Sequence, residues 1–422
     1  MRIRLGDRAR FSPLIRGFMR RMFERKARRV EDLSGAIDTI SQSIRLTDPK
    51  DTASVVRLEK LIDRQCEDFD PKSFSPLTLH PEVEDGKISK AVVLKPRGDK
   101  GEKGIIFISF EYQWAKLLSL KNLEEFARDY TVVVSPTWSP PHCAINYIFP
   151  RMFPDPVYCL ISNIDDMAHF PRISDRYRMV ELFASSWVKP EIYQPKPRSE
   201  RKIDILMLAN FGMYKRHHVL FRALADIPKD IKVVLVGQPN GDRTREVLLR
   251  EAAAFGVEDR FELRQQLTEQ GVLDTLCDAK VSVILSRREG SCVAVVESIF
   301  ADTPVALSNQ AQIGSAVFIN DQTGRKVSED NLAAELTEMV RASESFKARE
   351  WALENEVSAY GSTKKMNTVL KTGAEQDGQP WTQDIADHHW RPNPELVHPD
   401  NCPWEQREVD YIKEKYGLTI GS

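Results

Sequence analysis

Arg287-Arg288-Glu289-Gly290-Ser291-Cys292-Val293-Ala294-Val295-Val296-Glu297 decides the reading of this chain. The β-rich run Val281 to Leu285 leads into it, and its alanine/valine-rich second half can continue as a helix. Parallel α/β sheets bind ligands at such junctions, outside the carboxyl ends of their strands. Free amides at a helix start attract phosphate, and Gly290 and Ser291 are placed to offer theirs. Glu289 and Glu297 are separated by roughly 12 Å if the stretch is helical. That span suits one carboxylate on a sugar hydroxyl and the other on a ribose, with a diphosphate between them.

Working outward, an ordered series of elements surrounds the stretch. Ile203 to Leu208 reads as a first strand, and Lys215 to Leu224 as a helix led by its lysine. Val233 to Gly237 is a strand ending in glycine. Val247 to Phe255 reads as a helix, Phe261 to Leu263 as a short strand, and Leu267 to Ala279 as the helix before the signature. Ala301-Asp302-Thr303-Pro304-Val305 turns into another strand, and Asn320-Asp321-Gln322-Thr323-Gly324 reads as a hairpin.

From about Lys202 to Val340, this series resembles the Glu-x7-Glu domain of retaining family 4 glycosyltransferases, which use nucleotide-sugar donors. Two glutamates eight apart are a weak signal alone; the order of the elements around them is the strong one. The resemblance implies an α/β GT-B fold, two Rossmann-like domains facing a cleft. It implies Glu289 on the donor sugar hydroxyls, Glu297 on the ribose, and Lys215 with Arg216 on the diphosphate, and no metal or other cofactor. Gly237 and the amides of Gly290, Ser291 and Cys292 would complete the donor site. Three positions depart from the family pattern. Cys292 and Asp302 stand where glycine is usual, and Asn210 stands where an arginine normally precedes the helix lysine. The plainer readings remain open beside these: a structural carboxylate at 289, a solvated helix glutamate at 297 and a surface lysine at 215.

A chain of 422 residues accommodates two domains plus extensions. The expected division is a helical extension over 1–86, an acceptor-side α/β domain over 87–198, a nucleotide-sugar domain over 199–345, and helices with an aromatic tail over 346–422. Trp187 to Pro197, with Pro190 and Pro195, reads as the linker. A net charge of -2 argues against a general nucleic-acid binder. Cys66, Cys143, Cys159, Cys277, Cys292 and Cys402 form no Cys-x-x-Cys pair, which fits a reducing cytoplasm. No apolar run approaches a spanning length, and no secretory signal is evident.

Near the start, Ser12 and Pro13 open a predicted helix, with Phe11, Leu14, Ile15, Phe18, Met19, Met22 and Phe23 on one side. Arg16 and Arg20 lie opposite, Arg21 flanks, and Arg25, Lys26, Arg28 and Arg29 follow. Residues 11–29 therefore match an anionic membrane surface, with a helix packed on protein and an arginine-rich targeting segment as alternatives. The first α/β domain is expected to hold the strands Ala91 to Lys95, Gly104 to Phe110, Thr131 to Ser135, Val157 to Ser162 and Glu181 to Ala184, with a helix over Trp114 to Arg128.

In that domain Glu111, after a strand, and His142, in a loop, are candidate catalytic or acceptor-side groups, with His169 behind them. Asp165-Asp166 lacks a strand-end setting for a metal-diphosphate motif. The pair His217-His218 reads as helix surface and its packing, and His388-His389 as tail packing. Trp381, Trp390 and Trp404 mark the tail as docking on the body. The expected function is sugar transfer from a nucleotide-sugar donor, UDP-sugar foremost, to a glycan or lipid-linked acceptor. A sugar-nucleotide epimerase of the same layout and a catalytically weakened scaffold are the rivals.

Overall fold

Runs of β-branched residues, buried on both faces, build two largely parallel sheets. The computed structural model describes residues 12–48, 51–390 and 393–421. These form two compact units, 1–184 joined by 362–422, and 185–361.

In the first unit, β1 (Lys87–Ile88) is followed by β2 (Ala91–Lys95), β3 (Gly104–Ser109), β4 (Tyr130–Ser135), β5 (Val157–Ile161) and β6 (Tyr177–Phe183). The last five make one sheet in sequential order, β2 antiparallel to β3 and the rest parallel. Helices α1 (Pro13–Ala27), α2 (Leu33–Leu46) and α3 (Thr52–Gln65) are continuous with its core, where Ala27, Ile37, Ile40 and Leu58 share one cluster with Ile106 and Val132. The expected helix over Trp114 to Arg128 is broken. A 3-10 turn ends at Ser119, Leu120 is extended, and a new helix starts only at Leu123, behind Asn122.

The carboxyl-terminal segment belongs to this unit too. Thr419–Ile420 pairs in parallel with β1, and the helix Trp404–Tyr416 places Glu408 against Arg97, 3.0 Å away. Lys95 lies 4.6 Å from the Trp381 ring centroid, and Trp390 meets Phe110 edge-on at 5.5 Å. These contacts are the tail packing that its tryptophans predict. Buried His388 stacks near Phe107 at 4.9 Å, and burial pushes its imidazole down to about 3, so it packs uncharged.

The second unit contains β7 (Ile203–Leu208), β8 (Val233–Val236), β9 (Glu262–Arg264), β10 (Ala279–Ile284), β11 (Val305–Ser308) and β12 (Gly324–Val327). All pairings are parallel, in the order β12-β11-β10-β7-β8-β9. The chain winds outward from β7 in one direction, then returns and winds outward from β10 in the other. Side by side, β7 and β10 flank the point at which connections diverge, where such sheets open a crevice. Because β11 and β12 run parallel, Asn320–Gly324 is no hairpin. It is a turn held by the Asn320 side chain, which accepts from the amides of Gln322 (2.9 Å) and Thr323 (3.3 Å).

Candidate functional site

Lys215 and Glu289 meet at that divergence point. Lys215 follows β7 in a 3-10 turn over Met213–Lys215, and helix α4 (His217–Leu224) begins only two residues later. Glu289 follows β10. The Lys215 ammonium donates to both Glu289 carboxylate oxygens, at 2.8 and 2.7 Å. Burial works against the Lys215 charge, but neighbouring Cys292 and Glu289 outweigh it and hold its pKa above the ordinary lysine value. The Cys292 thiol is itself pushed well up, first by burial and then by Glu289.

Helix α5 (Val293–Phe300) starts after Glu289 rather than at it, because Cys292 is left-handed with φ 55°. The 12 Å helical spacing between the two glutamates therefore does not apply. Glu297, on the second turn of α5, lines a cavity of about 320 Å³ together with Lys215, Asn210, Gly237, Gln238 and Gln266. These residues come from just beyond β7, β8 and β9. Thus Lys215 joins the pocket to Glu289, and Glu297 faces the same space. Tyr193 Oη lies 3.4 Å from Glu297 Oε1.

Gly237 shows why glycine ends β8. A Cβ there would stand 2.0 Å from the carbonyl oxygen of Ala209, a backbone atom on the neighbouring strand end. Asn210 is occupied locally, accepting from the Gly212 amide at 3.0 Å and donating to Tyr214 Oη at 2.8 Å. Cys292 and Asp302, the two positions where glycine is expected, both have positive φ, 55° and 52°. Glycine enters such a conformation freely, whereas cysteine and aspartate must be held there. Asp302 is held by Arg198, 3.1 Å away, and by the Arg349 amide at 3.2 Å.

Ser291 turns its hydroxyl away to Ser185, donating to Oγ at 2.7 Å while accepting from the Ser185 amide at 2.9 Å. The carbonyl of Gly290 accepts from the Gly314 amide at 3.0 Å, which pins the loop ahead of α5. Arg216 sits elsewhere. It is 2% exposed, left-handed, and bonded to Glu329 at 2.8 Å and to the Leu285 carbonyl at 3.2 Å.

Glu329 escapes a motif-based reading. It also takes Arg287 at 3.3 Å and Ser308 at 3.0 Å. Burial would raise its pKa, but the bonds and charges of Arg216 and Arg287 bring it down to about 2. Its one sequence signal is position, two residues past the end of β12, with the other strand-end groups. His217 and His218 are buried at 2% and 6% exposure rather than on a helix surface, and burial lowers His217 to about 3.

In the first unit, Glu111, His142 and Asp166 all meet the loop after β4, at Thr137, Trp138 and Ser139 in turn. Glu111 is buried after β3, accepts from the Thr137 amide at 3.1 Å and from its hydroxyl, and is shifted upward by desolvation. His142 lies against Trp138, with ring centroids 6.2 Å apart. His169 and Arg172 both hold Glu59, at 2.8 and 2.7 Å. Asp166 anchors a turn through the amides of Ser162 and Asn163, and burial lifts it to about 6.

The order of strands, the lysine–glutamate pair and the pocket beside it can be set against known proteins. Residues 188–352 match the model of the family Glycosyl transferases group 1. The group 1 segment lies wholly inside the second unit. Among solved structures, a TarM mutant from S. aureus, in complex with Fondaparinux, alpha-GlcNAc-glycerol and UDP, aligns with TM-score 0.50 and 14% identity over 62% of this chain and 55% of that one. Sucrose-phosphate synthase from Thermosynechococcus elongatus aligns with TM-score 0.48 and 14% identity, over 65% and 73% of the two chains. Anabaena HepE in complex with UDP-glucose gives 0.48 and 13%, over 64% and 78%. The TarM likeness shows a shared GT-B-type α/β fold. The chain spans about half the length of the structures it matches first. Comparison with curated proteins gives no match.

Proposed function

We propose that this protein is a glycosyltransferase that moves a sugar from a nucleotide-sugar donor to a glycan or lipid-linked acceptor, with retention at the anomeric carbon. The observation that carries the reading is the Lys215–Glu289 pair beside the cavity lined by Glu297, at the divergence of β7 and β10. A nucleotide diphosphate is a dianion or more, and the half-buried Lys215 ammonium at this crevice supplies the countercharge. On donor entry Lys215 would exchange part of its bond to Glu289 for phosphate oxygens. Glu289 would then be free to accept from sugar hydroxyls. As the bond to the leaving diphosphate breaks, Lys215 would stabilise the growing negative charge, an electrostatic role that needs no metal. Glu297 would hold the ribose hydroxyls.

UDP is the nucleotide we infer, the one named with the TarM mutant. The reading places the protein in the cytoplasm, peripheral on the membrane face. Among the described residues no helix is long and apolar enough to cross a membrane.

Calorimetric titration with UDP and a panel of UDP- and GDP-sugars tests the proposal. UDP or a UDP-sugar should bind wild type and bind Glu297→Ala at least about tenfold more weakly. NMR of the product should show a glycoside of the donor's own anomeric configuration. An altered free sugar nucleotide would instead indicate epimerisation, and no binding by wild type would sink the donor site altogether.

A further inference from the structure

Helix α1 is fixed to the first unit by one face, and among the described residues nothing covers the other. On the fixed face, Arg16 donates to three carbonyls at the end of α2, Leu46 at 2.9 Å and Arg45 and Thr47 at 3.2 Å. A helix end has such carbonyls unsatisfied, so the guanidinium serves as its cap. Ser43 Oγ donates to the Arg20 carbonyl at 3.3 Å, and Ala27 joins the unit's core cluster. The arginines opposite the apolar stripe are thus bound to protein rather than solvated.

The other face carries Leu14, Ile15, Phe18 and Met22, exposed by 86, 46, 68 and 43%. Met19 and Phe23, expected on the same stripe, are half-buried instead, and Phe11 lies outside the described residues. Arg21, Arg25, Lys26 and Arg29 are exposed around and beyond the apolar four, at spacings that keep them on the same side. Glu24 is the only acid between Ser12 and Arg29, and it faces Arg20 and Arg57. In sequence, the preceding residues add Arg2, Arg4, Arg8 and Arg10. Large apolar side chains this exposed and this close together are unusual on a soluble surface. Against eleven arginines and lysines the first 29 residues carry two acids, Asp7 and Glu24, and this excess of cations selects an anionic surface as the cover.

We infer that this face docks on an anionic lipid bilayer. Leu14, Ile15, Phe18 and Met22 enter the interface, and Arg21, Arg25, Lys26 and Arg29 meet the headgroups. Since Arg16 already holds α1 in place, the helix is folded before it binds. The inference concerns attachment only and does not depend on the sugar-transfer reading.

Cosedimentation of the full chain with vesicles tests it. Wild type should bind phosphatidylcholine vesicles containing about a third phosphatidylglycerol, and bind pure phosphatidylcholine at least about tenfold less well. The double variant Leu14→Ser/Phe18→Ser, at exposed positions that leave the core intact, should lose roughly tenfold or more in affinity for the anionic vesicles. Arg25→Gln/Lys26→Gln/Arg29→Gln should lose roughly fivefold per charge, and high salt should imitate it. Equal binding by wild type and the double variant would overturn the inference, as would no binding by wild type. A wild-type dimer in sedimentation velocity that the double variant dissolves would give this face to a second copy, and would likewise overturn it.

Discussion

Replacing Glu329 with glutamine tests whether one buried carboxylate organises the strand ends of the second unit. In the structure it receives Arg216, Arg287 and Ser308, and its pKa falls from 4.5 to about 2. A tenfold change in a proton-binding constant corresponds to about 1.4 kcal/mol, so the ionised carboxylate contributes about 3 kcal/mol to folding. A depressed carboxylate stabilises in full above its unfolded-state pKa, and the contribution fades as pH falls toward the folded value. Between pH 7 and pH 4 roughly a quarter of that contribution is lost, and most of the remainder goes as pH falls on toward about 2. Glutamine keeps the shape but leaves two guanidinium groups without an anion, so the variant should lose about 3 kcal/mol at pH 7. Urea unfolding of both proteins at pH 7, 5 and 4 measures the gap. It should narrow by roughly 1 kcal/mol at the acid end. A gap below about 1 kcal/mol at pH 7, or one independent of pH, would refute the reasoning.

Lys215→Gln should lower sugar transfer by about a hundredfold or more, with an unchanged far-ultraviolet circular dichroism spectrum; a loss under about fivefold would detach the lysine from catalysis. Gly237→Ala should cost about 3 kcal/mol or prevent folding, because the clash is with the Ala209 carbonyl and backbone cannot step aside. Gly373→Ala makes the useful contrast. Its Cβ would meet the Tyr158 hydroxyl at 1.7 Å, a side-chain tip that can swing, so thermal unfolding should report a loss of about 1–2 kcal/mol, smaller than at 237. Cys292→Gly should be nearly neutral in stability, within about 1 kcal/mol, since relief of the left-handed conformation offsets lost side-chain contact. Titration with UDP should show binding by Cys292→Gly as tight as wild type or tighter, and weaker binding would count against a close backbone approach there.

Much of the second unit is legible in the sequence because its strands are short apolar runs with ordered breaks between them. Ile203 to Leu208 matches its strand, Val233 to Gly237 overruns its strand by the glycine, and the helices ahead of the signature differ by two residues at their ends, where helices fray. The bond between Lys215 and Glu289 is not legible. It depends on β7 and β10 being neighbours across 74 positions, a matter of sheet order rather than of motif. Glu329 stays hidden for the same reason, since three of its partners come from three other strand ends. Asn320–Gly324 misleads because a turn rich in Asn, Asp and Gly serves a parallel connection as well as a hairpin. In the first unit, Glu111 and His142 stand out for chemistry that their types allow. Their sheet runs in sequential order, so no divergence of connections marks where a ligand would sit. The apolar stripe of α1 is visible in the sequence as a stripe, but only the Arg16 cap decides which half of it turns inward.

The two left-handed residues that stand in for glycine, Cys292 and Asp302, bear on how such a chain can change over time. Their backbone shape is imposed from outside, by the pinned loop ahead of α5 and by Arg198 and Arg349 gripping Asp302. The mould therefore does not depend on the residue that fits it most easily. The bend at Cys292 adjoins Lys215, whereas Asp302 lies at the other end of the strands beside Arg201, so an exchange at 292 would retune what the hollow prefers without erasing it.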